Sequence, residues 1–186
     1  MRARIYQAFR RTCAVCLFAA ATAASAQQAD QVVAPAAIAG KMAAVDEAFA
    51  LFAASSGLAE IEGSRLVLKT TRRDEVRDYA QKLARDHETA LAALRRVVGA
   101  RGLKIPPAPT GRHADMVTKL AGVSAAERDE AFLLRFGVDA HKETISLYER
   151  HLTEGVEPEL KRHAEQTLPH LREHMAAALK LMNAGK

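Results

Sequence analysis

The chain of 186 residues contains no tryptophan, and aromatic residues make up only 5% of it. Its only two cysteines are Cys13 and Cys16, both near the start. Beyond them there is no thiol nucleophile, no disulfide and no Cys-based metal site. A glycine-rich phosphate loop and a serine set in a strand-to-helix elbow are also missing. The longest apolar stretch, residues 13–23, is too short to span a bilayer as a permanent helix. These absences leave a core built mostly from leucine, valine and alanine, a composition that favours helices.

That apolar stretch has a different explanation. Arg2, Arg4, Arg10 and Arg11 precede it, and Ala24-Ser25-Ala26 follows as a small-x-small cleavage pattern. Residues 1–26 therefore read as a secretory signal peptide cleaved after Ala26, which predicts an exported, periplasmic protein. Removing them changes the charge balance. The whole chain carries 27 Lys+Arg against 22 Asp+Glu, a formal charge of +5. Four of those arginines and no acids lie in 1–26, so the mature chain is left at 23 − 22, or +1. Without a basic excess, nucleic acid is not an expected partner. No transmembrane segment remains after cleavage, a homo-oligomer stays open, and no protein partner can be named.

Residues 27–44, with Pro35 and Gly40 and no clear period, read as a flexible leader. The domain then occupies 45–184 as four long helical patterns. The first spans about 45–70, with Phe49, Phe52, Ala53, Ser56, Glu60, Gly63, Ser64 and Val67 on one face. Ser55-Ser56 reads as a small packing pair. The second spans about 74–98, with a cap candidate at Thr71 and Asp74, and carries the stripe Val76, Tyr79, Ala80, Leu83, His87, Ala90, Leu91, Leu94 and Val98. The third is expected from Ser124, where Ser124 and Glu127 have capping-box spacing, to about 152; its inner face is Leu134, Val138, His141, Ile145, Tyr148 and Leu152. The fourth spans about 157–183, with His174 bordering its apolar stripe and Pro169 inside it, where a kink is expected. The segment 99–123 holds Pro106, Pro107 and Pro109. It is long for a simple turn, and long enough to cross the length of a bundle as in ferritin-like folds.

Each of the four helices thus offers one ionisable residue to the inside: Glu60, His87, His141 and His174. Groups of this kind seldom occupy core faces unless they are paired or ligate a metal. Three imidazoles and one carboxylate suit a single transition-metal ion, with Fe, Mn, Zn and Cu as candidates. Asp86, Asp139 and His170 are candidate supporting residues, while His113, His151 and His163 read as solvated. No Glu-x-x-His accompanies the histidines, which disfavours a carboxylate-bridged di-iron centre. A metal-free hydrogen-bonded core in an envelope structural, stress or partner-binding protein is the first alternative. A metal-dependent oxidoreductase is the second, although no catalytic constellation is recognisable and an enzyme is the weaker expectation.

Leu58-Ala59-Glu60-Ile61-Glu62, Asp86-His87, Asp139-Ala140-His141 and Leu168-Pro169-His170-Leu171-Arg172-Glu173-His174 together resemble one group. It is the exported bacterial ferritin-like family numbered four-one-four-two among the domains of unknown function. The resemblance covers about residues 46–181. It implies an all-α, ferritin-like four-helix bundle behind an export signal, and it implies no activity.

Overall fold

The computed structural model describes residues 41–184. The targeting segment 1–26 and most of the leader 27–44 lie outside the described residues. Within them the chain is all helical: α1 (Ala44–Leu68), α2 (Asp74–Gly99), α3 (Arg112–Gly122), α4 (Arg128–Phe132), α5 (His141–Glu154) and α6 (Pro158–Ala184). A π-helical segment, Leu133–Ala140, joins α4 directly to α5, so the three form one rod. Four rods make a ring in which α1 packs on α2, α2 on α6, α6 on α5, and α5 on α1.

The connection between α2 and α3 crosses the bundle. Its turns need left-handed backbone at Gly102 (φ 76°) and Gly111 (φ 52°), a conformation glycine adopts without steric cost. Ser55 ties it to α1, donating toward the Thr110 carbonyl (3.3 Å) and accepting from the Thr110 N–H (2.9 Å). The connection delivers α4 to the end of the bundle where α1 finishes and α2 starts. There Thr71 donates to the Asp129 carboxylate (2.7 Å) and Arg73 pairs with Glu130 (2.7 Å). The third rod consequently runs parallel to α2, the arrangement that a single long crossover produces in ferritin-like bundles. At the other end the buried Asp46 carboxylate accepts from the N–H groups of Val156 (3.0 Å) and Glu157 (3.1 Å), satisfying donors at the start of α6.

Several local expectations fail for identifiable reasons. Thr71 caps no helix, because its hydroxyl is engaged by Asp129 and by the Arg73 N–H. Ser124 and Glu127 bond each other (2.7 Å) within a turn, and the helix begins only at Arg128. Leu134, expected inside, is 39% exposed. A π turn closes i→i+5 rather than i→i+4 and so holds extra residues; the buried set shifts to Leu133, Phe136, Gly137 and Ala140. Pro169 lies inside α6, as expected, and on its solvent side, where a missing donor is least costly. Ser55 and Ser56 are hydrogen-bonding anchors rather than mere spacers.

Close approach of the third rod to α1 depends on Gly63. A Cβ there would fall 2.6 Å from the Phe136 ring, which is fully buried. Unlike its partners, α1 is buried nearly all round, because α3 covers the flank that faces away from the ring of rods. The apolar core divides into two halves. One contains Phe49, Leu58, Leu91, Leu94, Ile145 and Leu171, and the other Val67, Tyr79, Leu83, Phe132, Phe136 and Ala178. A polar layer separates them. No helix among the described residues is long and apolar enough to cross a membrane.

Candidate metal centre

Glu60, His87, His141 and His174 meet in that layer, each from a different rod. All four are buried, with relative exposures of 0, 6, 0 and 2%. The three imidazole centroids form a near-equilateral triangle, with sides of 5.6, 5.5 and 5.4 Å. One ring nitrogen from each histidine lies within 4.8 Å of the others. Glu60 Oε2 is 2.5 Å from His87 Nε2, and Glu60 Oε1 is 3.7 Å from His141 Nδ1.

Hydrogen bonding fixes which nitrogens are free. His141 Nδ1 sits 2.7 Å from the carbonyl of Phe136, five residues earlier, the separation a π turn brings together. A carbonyl only accepts, so Nδ1 carries the hydrogen and Nε2 holds a lone pair. His174 Nε2 lies 2.7 Å from Asp86 Oδ2, which Lys82 Nζ approaches at 2.5 Å from the other side. Burial pushes the Asp86 carboxyl up, but the bonds from Lys82 and His174 outweigh it and hold it below its ordinary value. An ionised Asp86 also accepts only, so His174 Nδ1 is the free nitrogen. The two free nitrogens, His141 Nε2 and His174 Nδ1, then face each other 3.3 Å apart.

Burial drives both rings toward the neutral form, pushing His141 down against the field of Glu60 and His174 down to about 4. Two lone pairs therefore confront each other. Glu60 completes the set: burial pushes its carboxyl up, but the neighbouring imidazoles, His87 foremost, outweigh it and hold it at about 2. The anion has little other support. Ser56 Oγ is 3.5 Å from Oε1 and also bonds Thr144 (3.1 Å). Glu60 Oε2 and His87 Nε2 are close but misaligned, so neither atom has a properly directed hydrogen bond.

Of the supporting candidates, Asp86 bonds His174 directly. Asp139 points to solvent, 53% exposed and 3.7 Å from Arg135, because the π turn rotates it off the inner face. His170 is 58% exposed, pairs with Glu173 (3.7 Å), and touches none of the four. The three histidines expected in solvent are buried instead. His113 bonds Ser55 (3.0 Å) beneath the crossover. His151 stacks on Phe49 (centroids 3.7 Å), and His163 lies between α2 and α6 close to His87. Lys82, Phe136, Ser56 and Thr144 carry supporting roles that were missed. The Lys82–Asp86 spacing of four residues was the one visible signal.

The family model described as "Domain of unknown function (DUF4142)" matches residues 19–181. A crystal structure of a DUF305 fragment from Deinococcus radiodurans is similar in fold, with a TM-score of 0.67 at 15% identity. The alignment covers 78% of this chain and 99% of that one. No curated protein sequence matches the chain.

Proposed function

We propose that this chain, which belongs to the DUF4142 family, is an exported protein that binds one transition-metal ion through Glu60, His87, His141 and His174. The observation that carries this reading is the pair of opposed ring nitrogens 3.3 Å apart, each turned inward because its ring's other nitrogen is committed as a donor. A cation between them converts a repulsion into two bonds. A tetrahedral ion bound at ~2.1 Å holds its nitrogens roughly 3.4 Å apart, which this pair matches. The misaligned Glu60 Oε2 and His87 Nε2 are the other two donors. Asp86 and the Phe136 carbonyl act as the outer partners that orient ligating imidazoles.

A lone carboxylate among three imidazoles supports a mononuclear centre, since a bridged di-iron site needs several carboxylates. Imidazole donors suit Zn, Cu and Fe, and the carboxylate extends the range to Mn. Export is supported by the basic, apolar and small-residue succession in residues 1–26. The rival is a metal-free polar core in which His87 is an imidazolium paired with Glu60, favoured by their 2.5 Å contact.

Elemental analysis of the purified protein, followed by titration of the chelator-stripped form with Co(II), separates the two. One equivalent with a tetrahedral cobalt spectrum, lost in His141→Ala and His174→Ala, is expected. Binding that is substoichiometric, or indifferent to those substitutions, refutes the metal reading.

A further inference from the structure

Between α2 and α6 the surface folds inward into a cleft of about 210 Å³. His87 and His174 form part of its wall, with Asp86 beside them. Glu60 and His141, the ligands from α1 and α5, do not line it. Of the four, only His87 and His174 border the cleft, which is therefore the side of the centre with the least protein between it and solvent. The volume suits a molecule of a few heavy atoms, given that one water occupies ~30 Å³ of liquid.

The same wall carries a group with no task in the site described so far. His163 is 5% exposed, and its Nε2 is buried without a hydrogen-bond partner. Buried polar atoms are nearly always paired, so this nitrogen has hydrogen-bonding capacity left for a small ligand. Its ring lines both the cleft and a narrow void that it shares with His87 and Tyr148. Charge sets the class of that partner. A divalent ion opposed by the single carboxylate of Glu60 keeps one positive charge, which a monoanion cancels in a low-dielectric layer.

We propose that the α2/α6 cleft is the exchange face of the metal centre, where a small monoanion ligates the ion and accepts a hydrogen bond from His163. This rests on the metal reading above and adds to its four protein donors a fifth, exchangeable coordination position. His163 is a positioning residue that touches the exogenous ligand, not the ion.

The test is titration of the copper(II)-loaded full-length chain with sodium azide, followed by charge-transfer absorption and electron paramagnetic resonance. A saturable azide band is expected. His163→Leu is expected to weaken azide binding about tenfold, the loss of roughly one hydrogen bond to a charged group, with copper content and the azide-free spectrum unchanged. His163→Gln, which keeps a donor, restores part of that loss. Ala90→Leu, on the partly exposed wall of the cleft, is expected to weaken azide by occlusion, and it supplies the test if His163→Leu fails to fold. Stoichiometric copper without an azide band, or azide affinity unchanged in the variants, overturns this proposal alone. Failure to bind copper at one equivalent overturns the metal reading, and this inference with it.

Discussion

Replacing Glu60 with glutamine separates the role of its charge from the role of its shape. The carboxylate is fully buried, ionised and held by one long hydroxyl contact and a misaligned imidazole. An isolated charge in such a place costs several kcal/mol unless a partner compensates it. If a metal ion is that partner, the metal-free Glu60→Gln protein keeps or raises its melting temperature. The metal response is then where the loss appears. An ion at 100 times its Kd stabilises the native state by about 2.7 kcal/mol. For about 140 residues, an unfolding entropy near 0.3 kcal/mol/K converts this into a rise of about 9 °C. A hundredfold weaker Kd in the variant leaves the same ion concentration about equal to Kd, worth ~0.4 kcal/mol or roughly 1 °C. Differential scanning calorimetry of both proteins, stripped and loaded, reads all four values. An equal metal-induced shift in both would refute Glu60 as a ligand. A metal-free variant that melts several degrees lower would point to a charged His87 as the partner.

Further expectations follow from the surroundings of the centre. Asp86→Ala removes the acceptor that orients His174, and metal affinity measured by chelator competition is expected to fall 10- to 100-fold; an unchanged affinity refutes the orienting role. Gly63→Ala places a methyl 2.6 Å from the Phe136 ring and is expected to cost about 1–3 kcal/mol in urea denaturation; unchanged stability would show that the π segment can shift. Burial pushes His163 down to about 4 from an ordinary 6.5. The unfolded chain therefore takes up the proton first, and stability of the metal-free protein is lost as pH falls from 6.5 toward 4, by about 3 kcal/mol at the acid end. His163→Gln should flatten that part of the stability profile, and an identical profile would show that His163 is not the group responsible.

Helix periodicity placed Glu60, His87 and His141 on inner faces because one apolar stripe per helix must be buried, and a central position in it survives an error of a residue or two at the ends. It placed His174 only on a border, since Met175, next to it, counts by its apolar character as part of the stripe, whereas the buried face runs through Leu171, His174 and Ala178. The supporting residues were far less legible. Asp86 is adjacent in sequence to His87 and could be guessed from that, but Asp139 has the same relation to a neighbouring histidine and points to solvent. The two differ because the third rod contains a π turn, which moves its inner face by one position and leaves no mark in composition. His113, His151 and His163 looked solvated because each lies off the main stripe of its own helix. They are buried by partners that their own helices do not announce: the crossover, Phe49 and the cleft between α2 and α6.

The amino-acid order by itself determined four rods, the apolar stripes of α1, α2 and α6, and the identity of the four ionisable groups turned inward. These follow from interactions within a few residues along the chain and from the need to remove apolar area from water. Only the tertiary structure decided that the long connection crosses the bundle, that the groups share one level between two apolar halves, and which nitrogen of each ring faces its neighbour. Those outcomes depend on contacts between residues distant in sequence: Thr71 with Asp129, His174 with Asp86, Gly63 with Phe136. No local pattern encodes the distance between two such partners, because it is set by how the rods slide and rotate to fill the core.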